Sequence, residues 1–153
     1  MLKDFPTSPE HGRGVLVLRL RMPFDGTLEN RNLIMKLRKY KTVLDAQNSL
    51  TCVPDMLDAA TKLIEARATG IFNVVNPGTM SPYEVMELYK KIVDPAHTFA
   101  KLSVSELSTV VKAGRSNCML STEKLAEQGI SLSPVGEAVT RALKDLATAL
   151  KNG

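Results

Sequence analysis

Two short aliphatic runs, residues 15–20 and 71–75, constrain this chain more than any other feature. Each has the length of one strand and is bounded by turn residues, Gly14 and Pro23 for the first, Gly70 and Pro77 for the second. Neither alternates cleanly between apolar and polar. A near-continuous apolar strand is what a sheet covered on both faces requires, and such sheets are parallel. Parallel neighbours need a crossover rather than a tight turn, and helical patterns fill the interval between the runs. The expectation is an α/β fold in which residues 15–20 and 71–75 lie parallel and adjacent.

The crossover divides at its punctuation. Leu33, Ile34, Leu37 and Tyr40 recur at helical spacing, so residues 32–40 read as an amphipathic helix with its basic side chains outward. Residues 42–44 read as a short strand. Asp55 is placed to cap a second helix with Met56, Leu57, Ala60, Leu63 and Ile64 on its apolar stripe, and Gly70 lies past its end, ready for a left-handed conformation. The second half reads as helical. Ser81-Pro82-Tyr83-Glu84 and Ser103-Val104-Ser105-Glu106 are capping boxes, the second with Leu102 and Leu107 as a hydrophobic staple. Ser121 or Thr122 opens a short helix that ends near Gly129. Ser133-Pro134 opens a longer one with Val135, Val139, Leu143, Leu146 and Leu150 toward the core. The expected organisation is a truncated helix end and loop over residues 1–14, two or more parallel strands with crossover helices over 15–80, and a mostly helical lobe over 81–153.

Composition removes several classes of function. With 153 residues and 44% apolar side chains, one globular unit is expected. No apolar run approaches the ~20 residues of a membrane span, and Met1-Leu2-Lys3-Asp4 opens on charge without a signal-peptide core, so a cytoplasmic protein with no membrane partner is expected. Cys52 and Cys118 read as free thiols, and His11 and His97 have no companions at ligand spacing, so no metal site is expected. The surplus of 20 basic over 16 acidic residues is mild. Its concentration at Arg31, Lys36, Arg38, Lys39 and Lys41 reads first as a solvated helix face. Without Trp or interleaved aromatics it gives no platform for nucleic acid.

Several segments, taken together, carry a resemblance: Leu18-Arg19-Leu20-Arg21-Met22-Pro23, Asn32-Leu33-Ile34, residues 70–78, Tyr89-Lys90-Lys91-Ile92-Val93-Asp94-Pro95 and Arg115-Ser116-Asn117. In this order and spacing the chain resembles the reductase domain of the nucleotide-rhamnose 3,5-epimerase/4-reductases and dTDP-4-dehydrorhamnose reductase, which are extended short-chain dehydrogenase/reductases. The resemblance implies the carboxyl-terminal part of a Rossmann-type fold with a mostly helical substrate-binding lobe. It implies NADPH as cofactor of the parent enzyme and a UDP- or dTDP-4-keto-6-deoxyhexose as substrate. Two parts of the family's chemistry are absent from this sequence. There is no glycine-rich turn for the cofactor pyrophosphate, and Tyr40, Tyr83 and Tyr89 are followed four residues on by Leu44, Glu87 and Val93 instead of lysine. The tyrosine-lysine motif is expected just before Met1, with the amino-terminal Rossmann half as the missing partner. The chain alone is expected to be inactive and to bind no cofactor tightly.

The resemblance also names site residues. Arg21, Met22 and Pro23 end the first strand, the edge at which open α/β sheets hold ligands, and the alternative is a strand stop beside a surface arginine. Asn32 opens a helix whose amino terminus suits a diphosphate, or serves as a simple polar cap. Arg115 would place a guanidinium fork on the diphosphate, facing the same cleft as Asn32, and the alternative is a solvated loop arginine. Gln47, Asn48 and Thr51 follow the short strand and are candidates for the sugar or base, or satisfy only local backbone as polar loop residues usually do, and Asn117 is a candidate for the substrate or its loop. Cys118 and Met119 depart from the family's pattern. A reading of a different class is a noncatalytic interaction or regulatory module docking through a sheet edge and apolar surface.

Overall fold

The computed structural model describes residues 14–106 and 117–152. In chain order its elements are β1 (Leu16–Arg19), β2 (Pro23–Phe24), α1 (Leu33–Leu37), β3 (Thr42–Asp45), β4 (Thr51–Cys52), α2 (Val53–Glu65), β5 (Gly70–Asn73), α3 (Pro82–Ile92), β6 (Ala100–Ser103), α4 (Glu123–Glu127) and α5 (Val135–Asn152). The strands form three parallel pairs, β1 with β5, β2 with β4 and β3 with β6. The two aliphatic runs are thus parallel neighbours, in register from Leu16 opposite Gly70 to Arg19 opposite Asn73.

Burial of β1 differs from expectation. Leu16 and Leu18, on one face of the strand, pack against Ala59, Leu63, Phe72, Val74 and Leu125, whereas Val17 faces the other way and Leu20 is exposed. All three of Leu16, Val17 and Leu18 are only half-buried, and β1 has one strand neighbour among the described residues. A larger core joins Phe24, Ile34, Val43, Leu50, Val85, Met86 and Tyr89 to the α5 stripe of Val135, Ala138, Val139, Ala142, Leu143 and Leu146. Leu150, expected on that stripe, is exposed near the helix end.

Four helix details depart from the sequence reading. The helix expected over residues 32–40 is the five-residue α1, and Tyr40 is 54% exposed beyond its end. Asp55 does not cap α2: the helix begins at Val53 behind Cys52, with proline in its first turn, and Asp55 lies inside that turn. The buried stripe of α2 runs through Ala59 and Leu63, leaving Leu57 and Ile64 57% and 65% exposed. Its carboxyl end is closed by Arg67, at φ 52°, with Arg67 N–H donating to the Ile64 carbonyl and Ala68 N–H to that of Leu63, a Schellman arrangement. Gly70 does take a positive φ of 98°, as the first residue of β5 rather than as the helix stop.

In the second half the Ser81–Glu84 capping box forms in both directions and starts α3. The Ser103–Glu106 box forms as well, ahead of helical residues 104–106, whereas Leu107 of the expected staple lies outside the described residues. Strand β6 was not anticipated. It runs beside β3 from Thr42 opposite Ala100 to Asp45 opposite Ser103, so a strand from the second half completes a sheet begun in the first.

Candidate functional site

The carboxyl ends of β1, β4 and β5 are tied together by main-chain and threonine contacts. Val74 N–H donates to the Arg19 carbonyl, Arg21 N–H to Thr51 Oγ1 at 3.0 Å, and the Thr51 hydroxyl to the Val74 carbonyl at 2.9 Å. Met22, at φ 45°, is in the left-handed region that L side chains other than Asn and Asp seldom adopt. That sharp turn lets Pro23 pair with Thr51 while the Arg21 side chain runs toward the loop after β3.

There it meets Asn48. Arg21 Nη2 donates to Asn48 Oδ1 at 2.9 Å, and the same oxygen accepts from Cys118 N–H at 3.3 Å. Asn48 Nδ2 donates to the Ala46 carbonyl, while the Asn48 carbonyl accepts from Met80 N–H. Ser49 extends the junction: its N–H donates to the Cys118 carbonyl and its hydroxyl accepts from Leu120 N–H. Arg21 is half-buried, yet no carboxylate pairs with it among the described residues, and its Nε is buried without a partner. Asn73 Oδ1, at the end of β5, is a second buried polar atom without a partner. Burying a guanidinium against a single neutral acceptor is unfavourable. An anion is the group that relieves it.

The other sequence candidates are placed as follows. Asn32 is buried, with its carboxamide engaged inside the protein. Nδ2 donates to the carbonyls of Asp25 and Thr27, and Oδ1 accepts from Ile34 N–H, with a longer contact from Asp25 N–H. It therefore caps α1 and closes the turn before it. Gln47 Nε2 donates to Glu84 Oε2, the oxygen that already serves the α3 capping box. Asn117 is exposed, one residue from the Cys118 contact. Arg115, and with it the cleft it was expected to share with Asn32, lies outside the described residues.

Sequence reasoning did not find a second polar cluster. Asn76 is fully buried, accepts from Cys52 N–H at 2.7 Å, and donates to Asp55 Oδ2 at 2.8 Å and the Ser133 carbonyl at 2.9 Å. Asp55 in turn pairs with Arg141 at 2.5 Å, and Arg141 reaches Ser133 Oγ and the Cys52 thiol. Burial pushes the Cys52 thiol up in pKa, so it is held protonated. The only signal in the sequence was the Asn76-Pro77-Gly78 turn. Two surface recesses border this cluster: one of about 480 Å³ along the Gly136, Thr140, Arg141 and Lys144 side of α5, and one of about 230 Å³ between Asp55, Asp58 and Ser133.

A third polar group lies between β3 and β6, where Asp45 and Lys101 pair at 2.6 Å and the Lys101 ammonium lies over the Tyr83 ring. The hydrogen bond from Lys101, helped by Ser81, lowers the Asp45 pKa below its ordinary value, and the same bond raises that of Lys101. Among the described residues no group of His, Cys, Asp and Glu could hold a metal ion, and no helix is long and apolar enough to cross a membrane.

No family model matches the chain. It is 34% identical over 128 residues to the bifunctional dTDP-4-dehydrorhamnose 3,5-epimerase/dTDP-4-dehydrorhamnose reductase of Arabidopsis thaliana, over 83% of this chain and 42% of that protein. It is 32% identical over 128 residues to a trifunctional UDP-glucose 4,6-dehydratase/UDP-4-keto-6-deoxy-D-glucose 3,5-epimerase/UDP-4-keto-L-rhamnose-reductase of the same plant, over 83% of this chain and 19% of that one. Among solved structures, the L780 UDP-rhamnose synthase of Acanthamoeba polyphaga mimivirus superposes with a TM-score of 0.77 at 29% identity, covering 86% of this chain and 46% of that one. The dTDP-4-dehydrorhamnose reductase of Bacillus anthracis, in complex with NADP, shares the fold with a TM-score of 0.65 at 21% identity, over 82% of this chain and 47% of that one. This chain thus spans less than half the length of each of these proteins. By these matches it is a partial reductase region of the short-chain dehydrogenase/reductase type, homologous to the dTDP-4-dehydrorhamnose and UDP-4-keto-rhamnose reductase domains of rhamnose synthases.

Proposed function

We propose that this chain forms part of the sugar-nucleotide site of a reductase that converts a UDP- or dTDP-linked 4-keto-6-deoxyhexose to the rhamnosyl nucleotide. In the whole protein NADPH is the reductant, and the chain by itself is inactive. The observation that carries this reading is Arg21: a half-buried guanidinium at the carboxyl end of a parallel strand, held by a neutral carboxamide and lacking a counter-charge among the described residues. A nucleotide diphosphate supplies that charge. Met22 and Pro23 shape the turn that presents it, and Asn117, Arg115 and Gln47 complete the proposed substrate-facing set. The Asn32 carboxamide is engaged inside the protein, so its part is to hold the turn at residues 25–27 and the start of α1.

The dinucleotide does not fit this chain's own residues. The nine glycines are scattered and form no glycine-rich phosphate turn, and no tyrosine is followed at four residues by lysine. No step of hydride or proton transfer is therefore assigned to a side chain of this sequence. Calorimetric titration of the chain with UDP and dTDP tests the reading and separates the two nucleotides. Binding that weakens by about 1.5–3 kcal/mol in Arg21→Ala supports it, in the range of a hydrogen bond to a charged group. Unchanged affinity overturns it. A second reading, a noncatalytic docking module, is favoured by Leu57 and Ile64 on the outward side of α2. Turnover of NADPH by the isolated chain with a 4-keto nucleotide sugar would contradict both.

A further inference from the structure

We propose that Asn48 is a positioning residue for the anionic part of the ligand, fixing the Arg21 guanidinium and joining the segment at Cys118 to the same orientation. The proposal rests on the sugar-nucleotide reading above and adds to it a residue that makes no ligand contact of its own.

The carboxamide of Asn48 has one workable orientation. Its oxygen faces two donors, Arg21 Nη2 and Cys118 N–H, and its nitrogen faces one acceptor, the Ala46 carbonyl. Turned over, it would set a donor against two donors and an oxygen against an oxygen. Main-chain contacts hold the residue in place, with Met80 N–H on the Asn48 carbonyl and isolated bridges from Asn48 to both Met80 and Cys118. Only 5% of Asn48 is exposed, so the oxygen presented to Arg21 is both fixed and dry. At the other end of the Arg21 residue, the main chain is pinned by Thr51 and turned by the left-handed Met22.

A guanidinium held in this way differs from an ordinary surface arginine. Nη2 is taken by a neutral acceptor, Nε is buried without a partner, and Nη1 has no partner among the described residues. Among the described residues the cation is therefore pre-oriented and without a counter-charge, the state in which a phosphate oxygen gains most from meeting it. A carboxylate in place of Asn48 would have neutralised the charge; a carboxamide holds it and leaves it available. Because Oδ1 also accepts from Cys118 N–H, displacement of the Arg21 side chain and of residues 118–120 is expected to be coupled.

The test is a double-mutant cycle on this chain, with UDP and inorganic pyrophosphate as probes, together with NMR of the Arg21 side-chain nitrogens. Arg21→Ala is expected to weaken UDP binding by about 10- to 100-fold. Asn48→Ala is expected to weaken it by about 5- to 10-fold, to free the rotation of the Arg21 Nη groups, and to have no further effect beyond about twofold in the Arg21→Ala background. Asn48→Asp, which keeps the volume and the acceptor, should nearly abolish pyrophosphate binding by pairing with the cation; it serves as the second variant should Asn48→Ala fold poorly. If the effects of Arg21→Ala and Asn48→Ala multiply, or if Asn48→Asp binds pyrophosphate as tightly as the parent, the positioning role is wrong and the sugar-nucleotide reading stands. If the chain binds neither probe, or Arg21→Ala binds both unchanged, that reading falls and the proposal falls with it.

Discussion

The Arg21–Asn48 junction and the Asn76–Asp55–Arg141 cluster are built from similar parts, an asparagine carboxamide just after a parallel strand and an arginine, from the end of β1 in the first and from α5 in the second, and they are in opposite states. Around Asn76 the three polar contacts of the carboxamide are made, and Arg141 has its carboxylate. Around Arg21, among the described residues, the cation has no carboxylate, and two nearby strand ends carry buried atoms without partners. Buried polar groups are normally satisfied, so a complete network reads as a device that holds the fold, and an incomplete one at a strand's carboxyl end reads as a place for a ligand. Two surface recesses border the complete network, on α2 and α5.

The largest effect expected from breaking the comparison is on stability, at Asn76. Asn76→Ala leaves the buried Cys52 N–H without its acceptor and the half-buried Ser133 carbonyl without a donor. Stranding buried groups costs about 1–3 kcal/mol each, so a loss of about 3 kcal/mol in urea unfolding is expected, with nucleotide affinity per folded molecule unchanged. A loss of affinity without a loss of stability would show that this cluster, too, serves a ligand.

Asn32 sharpens the same distinction at a smaller scale. Asn32→Ala removes the α1 cap and the closure of the turn at residues 25–27 and is expected to lower stability by about 1–2 kcal/mol. UDP titration of the folded variant should match the parent. A drop in affinity at unchanged stability would return Asn32 to the substrate side of the comparison.

What was legible in the sequence followed from local pattern. Parallel pairing of β1 with β5 came from two aliphatic runs separated by helical segments, and the α3 start came from a capping box whose two halves lie three residues apart. Strand β6 was missed because Ala100-Lys101-Leu102-Ser103, although it alternates apolar and polar, is only four residues long, lacks β-branched and aromatic side chains and runs into a capping box; its conformation comes from pairing with β3. The apolar stripe of α2 was misplaced because Leu57 and Ile64 are more hydrophobic than Ala59, yet Ala59 is the residue that fits against Phe72 and Leu63. At the site, Arg21 was legible from its place after a strand. The role of Asn48 was not, because it depends on partners 27 and 70 residues away.

Arg141 offers a weaker test of the complete network. Its side chain is 46% exposed, so solvent screens the pair with Asp55. Arg141→Ala should cost about 1 kcal/mol or less, while Asp55 keeps its bond to Asn76. Thermal unfolding of Arg141→Ala and of Asn76→Ala places the two side by side. Equal losses would mean that the ion pair, rather than the buried carboxamide, holds α2 against α5.

The smallest expected effect is the pH dependence of the Asp45–Lys101 pair, which closes β3 against β6 outside both polar networks. The folded Asp45 has a lowered pKa, chiefly through its bond with Lys101 and then Ser81, so its contribution is complete above the ordinary carboxylate range near ~4 and fades as pH falls through the folded value. Lys101 behaves in the opposite sense. Its pKa is raised by Asp45, so its contribution is complete below the ordinary lysine value near ~10.4 and is lost as pH rises through the folded one. Between those limits the pair adds a small, nearly constant increment. The Tm difference between the parent chain and Asp45→Asn should therefore be level across neutral pH, narrow below about pH 4 as Asp45 takes up its proton, and narrow again above about pH 10.4 as Lys101 loses its own. The increment should also shrink in high salt, because both side chains are in contact with solvent. A difference that persists at acid pH would mean that Asp45 holds β3 to β6 through its bonds as a neutral group, and that charge contributes nothing to this joint.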